Sequence, residues 1–289
     1  MKYKADATIF SAMIYRLEIE NFYSIRDPAI IDLRIAKNVP DYPERFSPIF
    51  QGSTERVPKV VALFGANGSG KSTVLKALSF LAWFLKDSFQ HQGDLLCERF
   101  NDEESAGRAV RLAVELGGLS ELSQRSVNSV DHEDGDFGTY RYELELQSIN
   151  GSVRHVSHEA LRHKPLGQKK WQRVFERGAN RDVRGSKNFP LSGYSQVIDK
   201  VRDSASVVST LALFEHEPSK ILIQAAGSVF RNIIIERTEF TDKDVIQFLV
   251  QNPSALASLN RELTRIDVGV EQMEIVQTAS GPTALFKHE

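Results

Sequence analysis

Residues Gly65 to Ser72 read GANGSGKS, a full match to G-x-x-x-x-G-K-[ST], and Thr73 follows. Each residue type at that spacing has a task on a chain of phosphates. Gly65, Gly68 and Gly70 permit positive φ and close backbone approach, so successive N–H groups across Asn67, Gly68 and Ser69 converge on phosphate oxygens. Lys71 reaches the β- and γ-phosphates as a point charge, and the Ser72 hydroxyl ligates Mg2+. Thr73 contacts the α-phosphate through its hydroxyl or its backbone. The chemistry is that of binding a nucleotide's phosphates with Mg2+.

A phosphate loop is expected between a buried strand and a helix, and the flanking sequence predicts both. Lys59 to Phe64, KVVALF, is a short, continuously apolar, β-branched run, the pattern of a strand buried on both faces. From Lys71 to Phe89, Val74, Leu75, Leu78, Leu81 and Leu85 recur at helical spacing, and the start of that helix adds a positive dipole end to the loop.

Elsewhere the period is two. Tyr15, Leu17 and Ile19 share one face of Ile14–Glu20, and Ala29–Ile35 follows across a turn as a neighbouring strand. Val110, Leu112, Val114 and Leu116 alternate with polar or small residues, as do Tyr140, Tyr142, Leu144 and Leu146, which predicts antiparallel strands buried on one face. Asn150-Gly151 reads as a hairpin turn, with further strands at Ser152–Glu159 and Trp171–Glu176. Asn38–Pro58, with four prolines, reads as a connecting loop, and Gly178–Gly193 as another. Thr241–Arg265 reads as one or two helices broken near Pro253.

The 289 residues include 36 Lys and Arg against 38 Asp and Glu, so the chain as a whole is not the basic body of an autonomous nucleic-acid binder. Its one cysteine, Cys97, cannot pair within the chain, which fits a reducing, cytoplasmic compartment. The longest apolar stretches fall short of the roughly 20 residues of a membrane span, and the N-terminus lacks a signal-peptide core. His132 within DHEDGD at 131–136 reads as part of a solvated loop rather than a metal site, and the basic cluster Arg173–Lys187 with Trp171 and Phe175 as a solvated loop beside a strand rather than a nucleic-acid surface. His155, His158 and His163 have no metal spacing.

The run IYRLEIENFYSI at 14–25, followed by a polar strand and then VVALFGANGSGKSTVLKAL, resembles the opening of ATP-binding-cassette head domains of the RecF and SMC group. It is most similar to the AAA-type ATPases related to overcoming-lysogenization-defect proteins of bacterial phage-defence systems. That resemblance implies an α/β P-loop NTPase, an ABC-like head with an antiparallel β insertion and a helical C-terminal part. It divides the chain into an extension at 1–12, the N-terminal lobe of the ATPase core at 13–90, the β insertion at 91–190 and a mainly helical segment at 191–289. It implies ATP held between two subunits, hence a homo-oligomer or a partner ATPase subunit, and a nucleotide state that controls an effector nuclease or toxin. It also requires a signature serine, a Walker B carboxylate pair and a switch histidine. In the defence-type members these follow a segment like LFKHE, with which this chain closes, so the resemblance is to the N-terminal portion of the family domain. Related heads often carry Arg or Lys where Tyr23 stands, and Arg26 is the substitute expected near the nucleotide.

Two internal segments bear on the missing parts. Leu191–Gln196, LSGYSQ, resembles the signature L-S-G-G-Q, and Leu211–Ser219, LALFEHEPS, resembles a Walker B strand with Glu215 on the Mg2+ water and Glu217 as base. Tyr194 replaces the second glycine and His216 interrupts the acidic pair. The segment therefore reads as a helix with Glu215, His216 and Glu217 on its exposed end. Ile233–Glu239 lacks an acidic pair directly after its apolar run. The alternatives to an ATP-hydrolysing head are a non-catalytic nucleotide-binding scaffold and a RecF-like DNA-repair ATPase.

Overall fold

The computed structural model describes residues 13–50, 52–119, 138–149, 152–180, 182–227, 242–263, 270–278 and 281–288. It divides into two units, Met1–Ile235 and Glu236–Glu289. The predicted extension 1–12, the loop holding His132, the turn Asn150-Gly151 and the run Ile233–Glu239 lie outside the described residues.

The first unit is built on a seven-stranded antiparallel sheet. Strand β1 (Met13–Glu20) pairs with β2 (Ala29–Asp32) on one side and with β5 (Val110–Gly117) on the other. The sheet continues through β6 (Gly138–Ile149), β7 (Ser152–Pro165), β8 (Gln172–Arg177) and β9 (Val183–Gly185) in the order β2-β1-β5-β6-β7-β8-β9. The region expected as a β insertion is thus continuous with the first hairpin. Alternation gives the sheet two unlike faces. Leu17, Ile19, Leu112, Val114, Tyr140, Tyr142 and Leu144 face the core. On the other face Arg141 joins Glu18, Glu115 and Glu143 at 2.7, 2.7 and 2.6 Å, and Arg162 reaches Glu143 at 3.0 Å.

Helix α1 (Lys71–Asp87) covers the apolar face, burying Ala77, Phe80, Leu81, Trp83 and Phe84 in the same core. Three helices follow: α2 (Ser195–Ile198), α3 (Val207–Ala212) and α4 (Glu217–Gly227). The carboxylate of buried Glu159 on β7 joins sheet to helices. It accepts from Tyr142 Oη at 3.0 Å, from Ser206 Oγ at 2.6 Å and from the Val207 N–H at 2.9 Å, capping α3.

Several expectations need correction, among them the loop Gly178–Gly193, which contains β9. The connecting loop 38–58 contains a small ribbon of β3 (Phe46–Pro48) and β4 (Arg56–Pro58), whose Val57 packs with Tyr15, Ile49 and Phe50. Lys59–Phe64 forms no strand, and its residues are exposed, Val60 by 84% and Phe64 by 91%. An apolar strand of a parallel sheet needs neighbours on its edges and cover on both faces. Among the described residues the one main-chain bond of this run is from the Lys59 N–H to Arg45 O at 2.8 Å, and Val60–Phe64 make none.

The second unit holds α5 (Asp242–Gln251) and α6 (Pro253–Leu263), split at Pro253 as the sequence predicts. It also holds a hairpin of β10 (Val270–Thr278) and β11 (Gly281–His288), so the segment 191–289 is not as uniformly helical as expected. Polar residues on both faces of VEQMEIVQT hide the strand, of which Met273 is buried.

Candidate functional site

The phosphate-loop residues gather at the start of α1. Gly70 stands just before the helix at φ 89°, and Gly68 in the loop at φ 79°, conformations that a Cβ makes costly. Gly70 also has a packing reason: a Cβ there would stand 3.3 Å from Ile25 Cγ1. With glycine in the capping position no side chain satisfies the helix start. The first intrahelical bond runs from the Val74 N–H to Gly70 O at 3.0 Å. The N–H groups of Lys71, Ser72 and Thr73 make no hydrogen bond among the described residues, leaving three aligned donors at the positive end of a 17-residue helix.

Lys71 folds over its own loop, its Nζ donating to Gly65 O at 2.8 Å and Ala66 O at 2.7 Å. Those carbonyls occupy the ammonium where phosphate oxygens would be its stronger, charged partners. Asn67, Gly68, Ser69 and Ser72 are exposed, and the Ser69 N–H closes the loop on Ala66 O at 3.2 Å. Open N–H groups, a lysine held only by neutral acceptors and an exposed Ser72 hydroxyl fit a nucleotide's phosphate chain. Mg2+ takes one or two protein oxygens and the rest from phosphate and water, which Ser72 satisfies. Among the described residues no cluster of three His, Cys, Asp or Glu could hold a metal by itself, and no carboxylate bonds to Lys71, Ser72 or Thr73.

The turn 21–26 between β1 and β2 forms a wall against this helix start. Ser24 Oγ lies 2.6 Å from the Oγ1 of buried Thr73, and Lys76 Nζ lies 4.3 Å from the centre of the Tyr23 ring. Burial pushes the Tyr23 hydroxyl up to about 12, so it stays neutral. Arg26 does not substitute for the basic residue of related heads: Asp102 and Glu104 hold it in ion pairs.

Residues 60–180 match the family model described as "AAA domain, putative AbiEii toxin, Type IV TA system". The match supports an AAA-type P-loop ATPase domain. It covers the apolar run from Val60, the phosphate loop, α1 and strands β5 to β8, under half of the chain. No curated protein matches the chain. Among the described residues no helix is long and apolar enough to cross a membrane.

The other sequence candidates sit elsewhere. Glu215 and Glu217 flank the turn between α3 and α4, and Lys220 binds both. Lys220 lines a cleft of about 350 Å³ with Lys86, Asp87 and Gln90, beyond the C-terminal end of α1. At 1.5 Å per residue α1 is about 25 Å long, so both carboxylates stand at the end away from Ser72. The segment expected as one helix is broken: α3 ends at Ala212, the chain turns through Glu215 at φ 62° and α4 starts at Glu217, and His216 is buried rather than exposed. It bonds to Ser219 and Pro190 O at 2.8 and 3.1 Å, between Phe189 and Tyr194, and burial pushes its pKa down. LSGYSQ therefore folds against EHE as packing, with Ser192 exposed. In the basic cluster Phe175 is buried, and Arg177 donates to Ala205 O inside the core, so neither reaches a ligand. His158 pairs with Glu143 at 3.8 Å and His163 stacks on Tyr140 at 4.4 Å. Ser24 had no motif to announce it beyond the N-F-x-S resemblance.

Proposed function

We propose that this chain is the nucleotide-binding half of an ABC-like ATPase head of a bacterial phage-defence or DNA-transaction system, related to the RecF, SMC and overcoming-lysogenization-defect group, whose nucleotide state controls a partner effector. The observation that carries the reading is the set of open N–H groups at Lys71, Ser72 and Thr73 behind a GANGSGKS loop. In it Gly65 to Gly70 and the start of α1 cradle the phosphates, Lys71 exchanges its two backbone acceptors for phosphate oxygens, and Ser72 holds Mg2+. A bound nucleotide brings an electrophilic phosphorus, and turning it over needs a base and a charge-stabilising donor on its open side. Glu215 and Glu217 stand too far away to act as that base, which supports a second subunit, another head or a partner ATPase, as its source. The unpaired run Val60–Phe64 adds support, because its backbone is left for polypeptide other than the described residues to pair.

The test is Mg-ATP affinity and steady-state turnover of the purified chain beside Lys71→Ala. Binding weakened about ten- to hundredfold by the substitution, with little turnover in either protein, is the expected result. Robust multiple turnovers that Lys71→Ala abolishes would show that the chain carries its own base and overturn the partner-dependent reading.

A further inference from the structure

The turn 21–26 is strained and held by more bonds than a hairpin needs. Asn21 and Tyr23 both lie at positive φ, 54° and 47°; asparagine tolerates that conformation, but a bulky side chain such as Tyr23 adopts it only when its surroundings over-determine it. The surroundings do so. The Asn21 amide donates to Arg108 O at 2.9 Å and Ser105 O at 3.3 Å, and its carbonyl accepts the Phe100 N–H at 3.0 Å. Phe22 and Ile25 exchange backbone bonds of 2.8 and 2.9 Å, the Tyr23 N–H reaches Glu98 O at 2.9 Å, and the Phe22 ring is fully buried.

What the strained turn delivers is Ser24 against Thr73 and Ile25 against Gly70. The first turn of α1 has no capping side chain, so nothing at Gly70 fixes the direction of its open N–H groups. Thr73, the third residue of the helix, is buried, and its hydroxyl is engaged by Ser24 at 2.6 Å. We infer that Ser24 is a positioning residue for the nucleotide site: through Thr73 it fixes the first turn of α1 so that the N–H groups of Lys71 to Thr73 and the Ser72 hydroxyl converge on one phosphate chain. Thr73 then serves the ligand through its backbone, its hydroxyl being committed to the hairpin. This inference rests on the reading of residues 65–73 as an ATP site.

The experiment is a double-mutant cycle on Mg-ATP affinity with Ser24→Ala, Thr73→Val and the double variant, measured well below the unfolding midpoint of each, with Ser24→Thr as the conservative control. Either single change is expected to weaken binding about five- to tenfold, the worth of one hydrogen bond, and the double no more than either. Ser24→Thr keeps the hydroxyl and stays near wild type. A purely structural hydroxyl pair would lower the unfolding midpoint and leave the affinity of the folded protein unchanged, which would overturn the inference. Loss of affinity in Thr73→Val alone would also overturn it, because the Thr73 hydroxyl would then be touching the ligand directly. Wild-type protein that binds no nucleotide would overturn both the ATP-site reading and this inference, whereas wild-type binding with an unaffected Ser24→Ala overturns the inference alone.

Discussion

Gly70 concentrates three demands in one residue: a left-handed backbone, no Cβ toward Ile25, and an uncapped helix start. Gly70→Ala meets the first at a cost of about 1–2 kcal/mol and pushes on Ile25 as well. It is expected to lower both the unfolding midpoint and Mg-ATP affinity, which parallel thermal and titration measurements would separate. On the opposite face of the sheet the pair His158 and Glu143 makes a prediction about pH. Its ion pair with His158, helped by Arg141 and Arg162, holds Glu143 down at about 2 from an ordinary 4.5, while the same carboxylate raises His158 above 6.5. The Glu143 share of stability is complete above 4.5 and is lost as pH falls toward 2. The His158 share is complete below 6.5 and is lost as pH rises through its raised value. The coupling between Glu143→Gln and His158→Gln in chemical denaturation should therefore peak between pH 4.5 and 6.5 and shrink at either end. A coupling independent of pH would mean that the two groups do not interact as charges.

Among the elements, α1 joins the core to the phosphate loop, packing into the core along one face and leaving open N–H groups at its start. Truncating the fully buried Phe84 to Ala should cost about 3–5 kcal/mol in denaturant unfolding. The run Val60–Phe64, although it leads into the same loop, should show fast amide hydrogen exchange in the isolated chain. Protection there equal to that of β5 or β6 would mean that the run is paired. Periodicity made β1, β5, β6, α1 and the break at Pro253 legible, because each has an apolar stripe of a single period. It could not say which strand lies beside which, so Lys59–Phe64 looked like a core strand although no described segment pairs with it. The ribbon β3–β4 and strand β9 are too short for a period to register, and β10 carries charge on both faces. The GANGSGKS motif stood out in the sequence by residue type and spacing alone. The conformation of the turn beside it was legible only in part: Asn21 is a residue type that favours positive φ, whereas Tyr23 is not.

At the scale of the first unit, sheet and helices are joined by a polar node as well as by apolar packing. Glu159 gathers donors from β6 and from the start of α3, and Ser88 at the end of α1 bonds to Ser209 Oγ at 3.0 Å and to the Ser206 N–H at 2.9 Å. Burial raises the Glu159 pKa, and the donors around it satisfy the carboxylate. Glu159→Gln turns one acceptor into a donor facing donors, and should cost about 1–3 kcal/mol, read as a lower urea midpoint. The exposed run at 60–64 carries neither charge nor proline, and an uncovered apolar segment of that kind is a template for cross-β stacking. Unless it is covered, the protein should aggregate increasingly as its concentration rises, and Val61→Lys should suppress this, as light scattering across a concentration series would show. A cell making this chain would then gain from matching its supply to that of whatever covers it, since surplus copies would be the first to aggregate.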